Sequence, residues 1–253
     1  MSSSPSSSPP PLPANPRGQW GFWATLGWGA VAWKVSDVGQ ALPLYAFFPI
    51  LNQWASDTGA DARLVNQIAE QAGMFCQFVG VPLLLIVLWF AIRRCNGPRF
   101  AEYLGLSRFP LRQLGMWGLI SAGVMILGTL LAILSGDHSG AKFQERLVES
   151  RAPILLVMAS QDFAAPFKEE LLFRGFLYRG IAASCGWIAA ILLPNLIWVL
   201  LHRQYDGAAL TGLFFSGCIY GLARHFSGSV IPPMIFHILG NLVVTYVVYF
   251  VRA

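Results

Sequence analysis

Seven residues in the C-terminal part of the chain have the types and spacings that acid–base chemistry needs. Glu169, Glu170 and Arg174 fall in the run Phe167-Lys168-Glu169-Glu170-Leu171-Leu172-Phe173-Arg174-Gly175. Glu170 and Arg174 are four apart with the acid on the N-terminal side, the order that favours a helical ion pair. Glu169 projects about 100° round the helix from its neighbour, onto a face whose only local companion is Phe173. Trp198 and His202 are four apart, as are His237 and Asn241, so each pair shares one helix face.

Such a set supports a limited range of chemistry. A carboxylate screened from water can take a proton from a water molecule near neutral pH. An imidazole can hold that water or pass its proton on. An amide and a second imidazole can donate hydrogen bonds to a developing oxyanion. Together these describe a peptide hydrolase without a nucleophilic side chain. Zinc held by Glu169, His202 and His237 is the competing arrangement, although the chain has no HExxH and the three residues lie on separate segments. Ser216 and Cys185 sit in no recognisable nucleophile elbow. A packing role is the plain alternative, with Glu169 and Glu170 both neutralising Arg174, Lys168 or Arg179. The placement of two of the chain's four histidines in separate apolar segments weighs towards one shared site. His138 and His225 read as surface residues.

The elements that must position these groups are membrane helices. Of 253 residues, 55% are hydrophobic and 11% charged, against about 25% charged in soluble domains. About 20 apolar residues cross a bilayer, and seven segments qualify: within Trp20 to Leu51, then near 72–92, 114–135, 152–179, 186–201, 208–222 and 230–251. The first is overlong and contains Lys34, Asp37, Gly39 and Pro43, so a tilt, kink or break is expected there. Lys34 and Asp37 read as a buried ion pair or a kink device, with a substrate contact as the alternative. The expected fold is all-α: a polytopic transmembrane bundle of about seven to eight helices (residues 19–253), after a disordered Ser/Pro-rich tail at residues 1–18.

Arg93, Arg94, Arg99, Arg108 and Arg112 face only Glu102 in the second connection. This loop and the N-terminus are therefore expected on the cytoplasmic side of a plasma (inner) membrane. The net charge of +5 reflects that topology rather than nucleic-acid binding. Cys76, Cys95, Cys185 and Cys218 follow no disulfide or zinc spacing.

These residues resemble the CPBP family of intramembrane proteases: the CAAX proteases, type II CAAX prenyl endopeptidase-like, and the Abi-type enzymes. Glu169-Glu170 through Arg174 match its EExxxR motif. His202 matches FxxxH with Trp198 in place of Phe, and His237 with Asn241 matches HxxxN. The resemblance implies a catalytic core over residues 151–251. Glu169 would be the general base, aided by His202, with His237 and Asn241 as the oxyanion site. Glu170 and Arg174 would support them, and Trp198 would affect packing more than chemistry. It implies a membrane-embedded or prenylated protein or peptide substrate in the lipid bilayer. No cofactor is required, with divalent zinc as the alternative. A non-catalytic scaffold or bacteriocin-immunity protein on the same fold, and a proton-coupled transporter, are the competing functions.

One geometric demand follows. His202 lies near the far end of its segment from where Glu169 needs it. Either that segment is displaced or the link Arg203 to Gly207 dips into a protein-lined cavity, as irregular backbone at depth must. Both are expected together.

Overall fold

The computed structural model describes residues 18–95, 97–136 and 145–251. The Ser/Pro-rich stretch to residue 17 and His138 lie outside them. Among the described residues every regular element is helical, and none is a strand. The all-α bundle expected from composition is the observed architecture.

Helix α1 (Phe22–Thr58) and helix α2 (Ala62–Arg94) form a long hairpin. Gly59 turns it in the left-handed region at φ 70°, and Asp61 caps α2 by accepting from the Leu64 amide at 2.8 Å. Despite Pro43 and Pro49, α1 is a single helix, so of the tilt, kink or break expected near Lys34 to Pro43 a break does not occur. Lys34 and Asp37 do pair, at 3.5 Å, but their side chains are 74% and 59% exposed. The pair lies on the surface of the bundle rather than buried in it. Short α3 (Phe100–Leu104) and long α4 (Leu111–Ser135) follow.

Helix α5 (Ile154–Leu201) runs 48 residues and unites the fourth and fifth segments of the sequence reading. It is broken at Gly186, where φ is 83° and ψ 168°, a conformation that only glycine adopts readily. Nothing lies within 4 Å of where a Cβ would stand there, so an alanine meets backbone strain alone. Gly186→Ala is expected to lower stability by about 1–3 kcal/mol, measured as thermal unfolding in detergent. Helix α6 (Gly207–Ser227) and helix α7 (Ile231–Tyr246), extended by a π turn Val247–Val251, complete the bundle.

Four helices (α2, α4, α5 and the α7 stretch Ile231–Phe250) are long and apolar enough to cross a membrane. Large apolar side chains point outward, among them Leu134 at 82% and Leu119 at 78% exposed, which lipid tolerates and water does not. The chain is an integral membrane protein. With α5 counted as two arms, the helices α1, α2 and α4 to α7 correspond to the seven expected segments.

One end of the bundle gathers the start of α1, the end of α2, α3, the start of α4, the Gly186 bend, the end of α6 and the start of α7. Trp20 Nε1 donates to the Ala91 carbonyl at 3.0 Å, Arg179 to the Glu102 carbonyl at 2.7 Å, and Gln113 to the Phe226 carbonyl at 3.1 Å. The arginine-rich loop is at this end. The opposite end holds the α1–α2 turn, the 145–153 connection and the link after His202. There Gln67 donates to the Glu149 carbonyl at 2.8 Å, and Tyr249 to the Leu147 carbonyl at 3.2 Å. The second arm of α5, residues 187–201, is only about 22 Å long at 1.5 Å per residue. A hydrocarbon core is about 30 Å thick, so the arm is shorter than a full crossing.

Candidate active site

The first arm of α5 is not a uniform α-helix. π-helical stretches at Met158–Ala164 and Leu171–Leu177 flank the α-helical turn Ala165–Glu170. Pro166 has no N–H for the carbonyl four residues before it, which fits a widened turn ending there. Such π insertions recur at functional sites, and here they bracket the two glutamates.

Glu170 points inward and is 0% exposed. Its Oε1 accepts from Arg174 Nη1 at 3.0 Å and faces His237 Nδ1 at 3.0 Å. Arg174 Nη2 also donates to the Gly217 carbonyl at 3.2 Å, and its guanidinium lies over the rings of Trp198 (4.8 Å) and Tyr220 (5.5 Å). The ion pair read from the i,i+4 spacing is therefore present, and it ties α5, α6 and α7 together. The close approach at Gly217 needs a glycine, because a Cβ there would overlap Asn195 Oδ1 and come within 2.9 Å of Arg174 Nη2.

Glu169 faces a cavity. Its Oε2 accepts from Trp198 Nε1 at 2.6 Å, a partner that sequence spacing did not supply. Trp198, expected to matter through packing, thus holds the carboxylate directly, and a Phe at this position could not. His202 ends the second arm of α5, with Nδ1 2.8 Å from the Trp198 carbonyl. A carbonyl only accepts, so Nδ1 carries the proton and the neutral ring keeps Nε2 as its acceptor. The His202 ring sits 4.8 Å from that of Trp198, and the His237 ring 5.4 Å from it on another side. Asn241 Nδ2 donates to the Gln161 carbonyl at 3.0 Å, which leaves its second N–H uncommitted.

Glu169, His202, His237 and Asn241 all line one cavity of about 320 Å³. Gln204 and Tyr205 line it too, so the link after His202 enters the cavity wall, as the geometric demand required. His225, read as a surface residue, is half-buried: it stacks on Trp187 at 4.6 Å, and its Nδ1 is 2.8 Å from the Tyr178 hydroxyl. It is not among the residues lining the cavity.

Two further cavity residues escaped the motif reading. Asp162 is 1% exposed, accepts from Thr245 Oγ1 at 3.0 Å through Oδ1, and leaves Oδ2 without a partner. Its position seven residues before Glu169, two turns along one face, was the available signal. Lys168 is 7% exposed and had been considered only as a neutralising charge.

No group of three His, Cys, Asp or Glu among the described residues is placed to hold a metal ion. Glu169 and His237 each give one atom to a protein partner, Trp198 Nε1 and Glu170 Oε1 respectively, and keep the other for the cavity.

Residues 151–243 match the family described as type II CAAX prenyl endopeptidase Rce1-like. The matched segment is about a third of the chain. It contains all seven residues singled out by type and spacing, and it upholds the CPBP and CAAX protease resemblance drawn from the three motifs. The chain is also 29% identical over 127 residues to an Escherichia coli protein described as "Uncharacterized 24.3 kDa protein". The alignment covers 49% of this chain and 57% of that relative, little more than half its length. No solved structure matches the chain. In the matched segment the motif residues come from both arms of α5 and from α7, and the Gly186 bend folds one arm back against the other.

Proposed function

We propose that the protein is an intramembrane endopeptidase that hydrolyses a peptide bond of a membrane-associated or lipidated protein through a water molecule activated by Glu169. The observation that carries this reading is the single cavity lined by Glu169, His202, His237 and Asn241. In the reaction Glu169 takes a proton from water while His202 Nε2 accepts the water's other hydrogen. The hydroxide attacks the carbonyl carbon of the scissile bond. The oxyanion accepts from the free N–H of Asn241 and from His237 Nε2. Because Glu170 holds His237 through Nδ1, Nε2 donates only when the ring is an imidazolium. Collapse breaks the C–N bond, and Glu169 returns its proton to the leaving amine. Glu170 and Arg174 act by fixing His237.

No step requires a metal, and cleavage is expected to survive a chelator. The arginine-rich end of the bundle is taken as cytoplasmic, together with the N-terminus, in a plasma (inner) membrane. The cavity wall includes Leu147, Gln204 and Tyr205, all from the opposite end, so substrate would enter from the non-cytoplasmic half.

The test is incubation of the purified protein in lipid with membrane-anchored peptides, with and without chelator, and identification of fragments by mass. Defined cleavage products that disappear in His202→Ala support the reading. Products unchanged in that variant reject it, as does the absence of cleavage across a broad peptide panel. Trp198→Phe keeps an aromatic ring but removes the donor to Glu169. A hydrogen bond to a charged group is worth about 1.5–3 kcal/mol, so a fall in kcat of roughly tenfold or more is expected, with KM little changed.

A further inference from the structure

Lys168 lines the cavity, yet the reaction above makes no use of it. Its side chain is 7% exposed. No carboxylate among the described residues lies within the 4.0 Å ion-pair distance of its ammonium. Its close neighbour is the Trp33 ring of α1, with Nζ 5.1 Å from the centroid. The negative charges acting on it are those of Glu169 and Asp37. Both are engaged elsewhere, Glu169 by Trp198 at 2.6 Å and Asp37 by Lys34 at 3.5 Å.

A buried cation without a direct counter-ion is costly inside a membrane and marks a functional site. The flank around it is polar as well. Asp37 and Gln40 of α1 and Gln77 of α2 line the cavity with Lys168. The Gln77 Oε1 is buried without a partner. Lys168 and Gln77 line the same cavity, and an ammonium and an amide N–H are donors that a carboxylate takes.

We propose that Lys168, with Gln77 and Trp33 beside it, forms a subsite for a carboxylate of the substrate peptide, on the α1–α2 flank of the reacting groups. The proposal rests on the peptide-hydrolase reading. The carboxylate is either the free C-terminus of the substrate or an acidic side chain close to the scissile bond, and one set of peptides separates these sources.

The experiment uses three matched lipid-anchored peptides in nanodiscs: a C-terminal acid, its C-terminal amide, and the amide with one glutamate near the cleaved bond. KM is read from cleavage, and affinity is read separately by calorimetry. The wild type is expected to take one of the two carboxylate-bearing peptides with a KM at least about tenfold below that of the neutral amide, at similar kcat, the signature of an interaction formed equally in ground and transition states. Lys168→Gln should erase that preference and Lys168→Arg should retain most of it. Equal KM for all three peptides on the wild type overturns the proposal without any variant, and so does a preference that persists in Lys168→Gln. If nothing is cleaved but calorimetry shows carboxylate-selective binding lost in Lys168→Gln, the subsite stands and the hydrolase reading falls.

Discussion

Glu169→Gln is expected to insert, purify and melt like the wild type while cleaving peptide at least about a hundredfold more slowly. The amide oxygen can still accept from Trp198 Nε1, which now lies 2.6 Å from Oε2, so the local packing survives. Basicity does not survive, and removing a positioned general base typically costs 10²- to 10⁴-fold, here an order-of-magnitude figure of about 3–5 kcal/mol in barrier. The expectation is specific to this glutamate because its neighbour is otherwise committed. Glu170 Oε1 already serves Arg174 and His237, and its carboxylate is fully buried. Fragment formation measured by mass spectrometry over equal times gives the ratio. A Glu169→Gln protein with wild-type rates would place the base elsewhere, with Asp162 the next candidate on the same wall.

The largest effect on stability is expected at Arg174. Arg174→Met removes the guanidinium but leaves the Glu170 carboxylate at 0% exposure facing only His237. Breaking a buried pair by deleting one partner costs about 3–5 kcal/mol, and solvent offers no relief at side-chain exposures of 4% and 0%. The same change strips the Gly217 carbonyl of its donor and removes the cation over Trp198 and Tyr220. Thermal unfolding in one detergent should show a clear fall. Glu170→Gln combined with Arg174→Met should recover part of it, because the buried carboxylate left without its guanidinium is then gone. A double variant no more stable than Arg174→Met would mean that the ion pair is not what holds these helices.

Much of this architecture was legible in the residue order because its cause is local. Hydropathy over about 20 residues reports lipid contact directly, so the seven apolar segments emerged near their observed places. The Glu170–Arg174 pair is also local, being one helical turn long. Features that depend on tertiary approach were not legible. Trp198 reaches Glu169 across 29 residues, and only the fold-back at Gly186 brings them together. Nothing in the sequence near Gly186 distinguished a one-residue bend inside one long helix from an ordinary loop between two.

The Lys34–Asp37 pair shows the opposite error. Its spacing was right, but whether that face of α1 is buried is set by how α2 packs, and both side chains stay exposed, with Asp37 on the cavity wall. Asp162 was missed because the motifs direct attention to Glu169 and beyond. Its burial comes from Thr245 on α7, 83 residues away, and spacing within the fourth segment does not report that contact.

Everything chemical here depends on Glu169 and His202 serving the same water molecule. A kinetic cycle of wild type, Glu169→Gln, His202→Ala and the double variant, each read as kcat/KM at high enzyme concentration in lipid, examines that dependence. Groups that act as a unit are grossly non-additive, so the double variant should cleave no more slowly than the slower single variant. If the two losses multiply instead, each side chain acts on a separate step or a separate site, and the shared water does not exist.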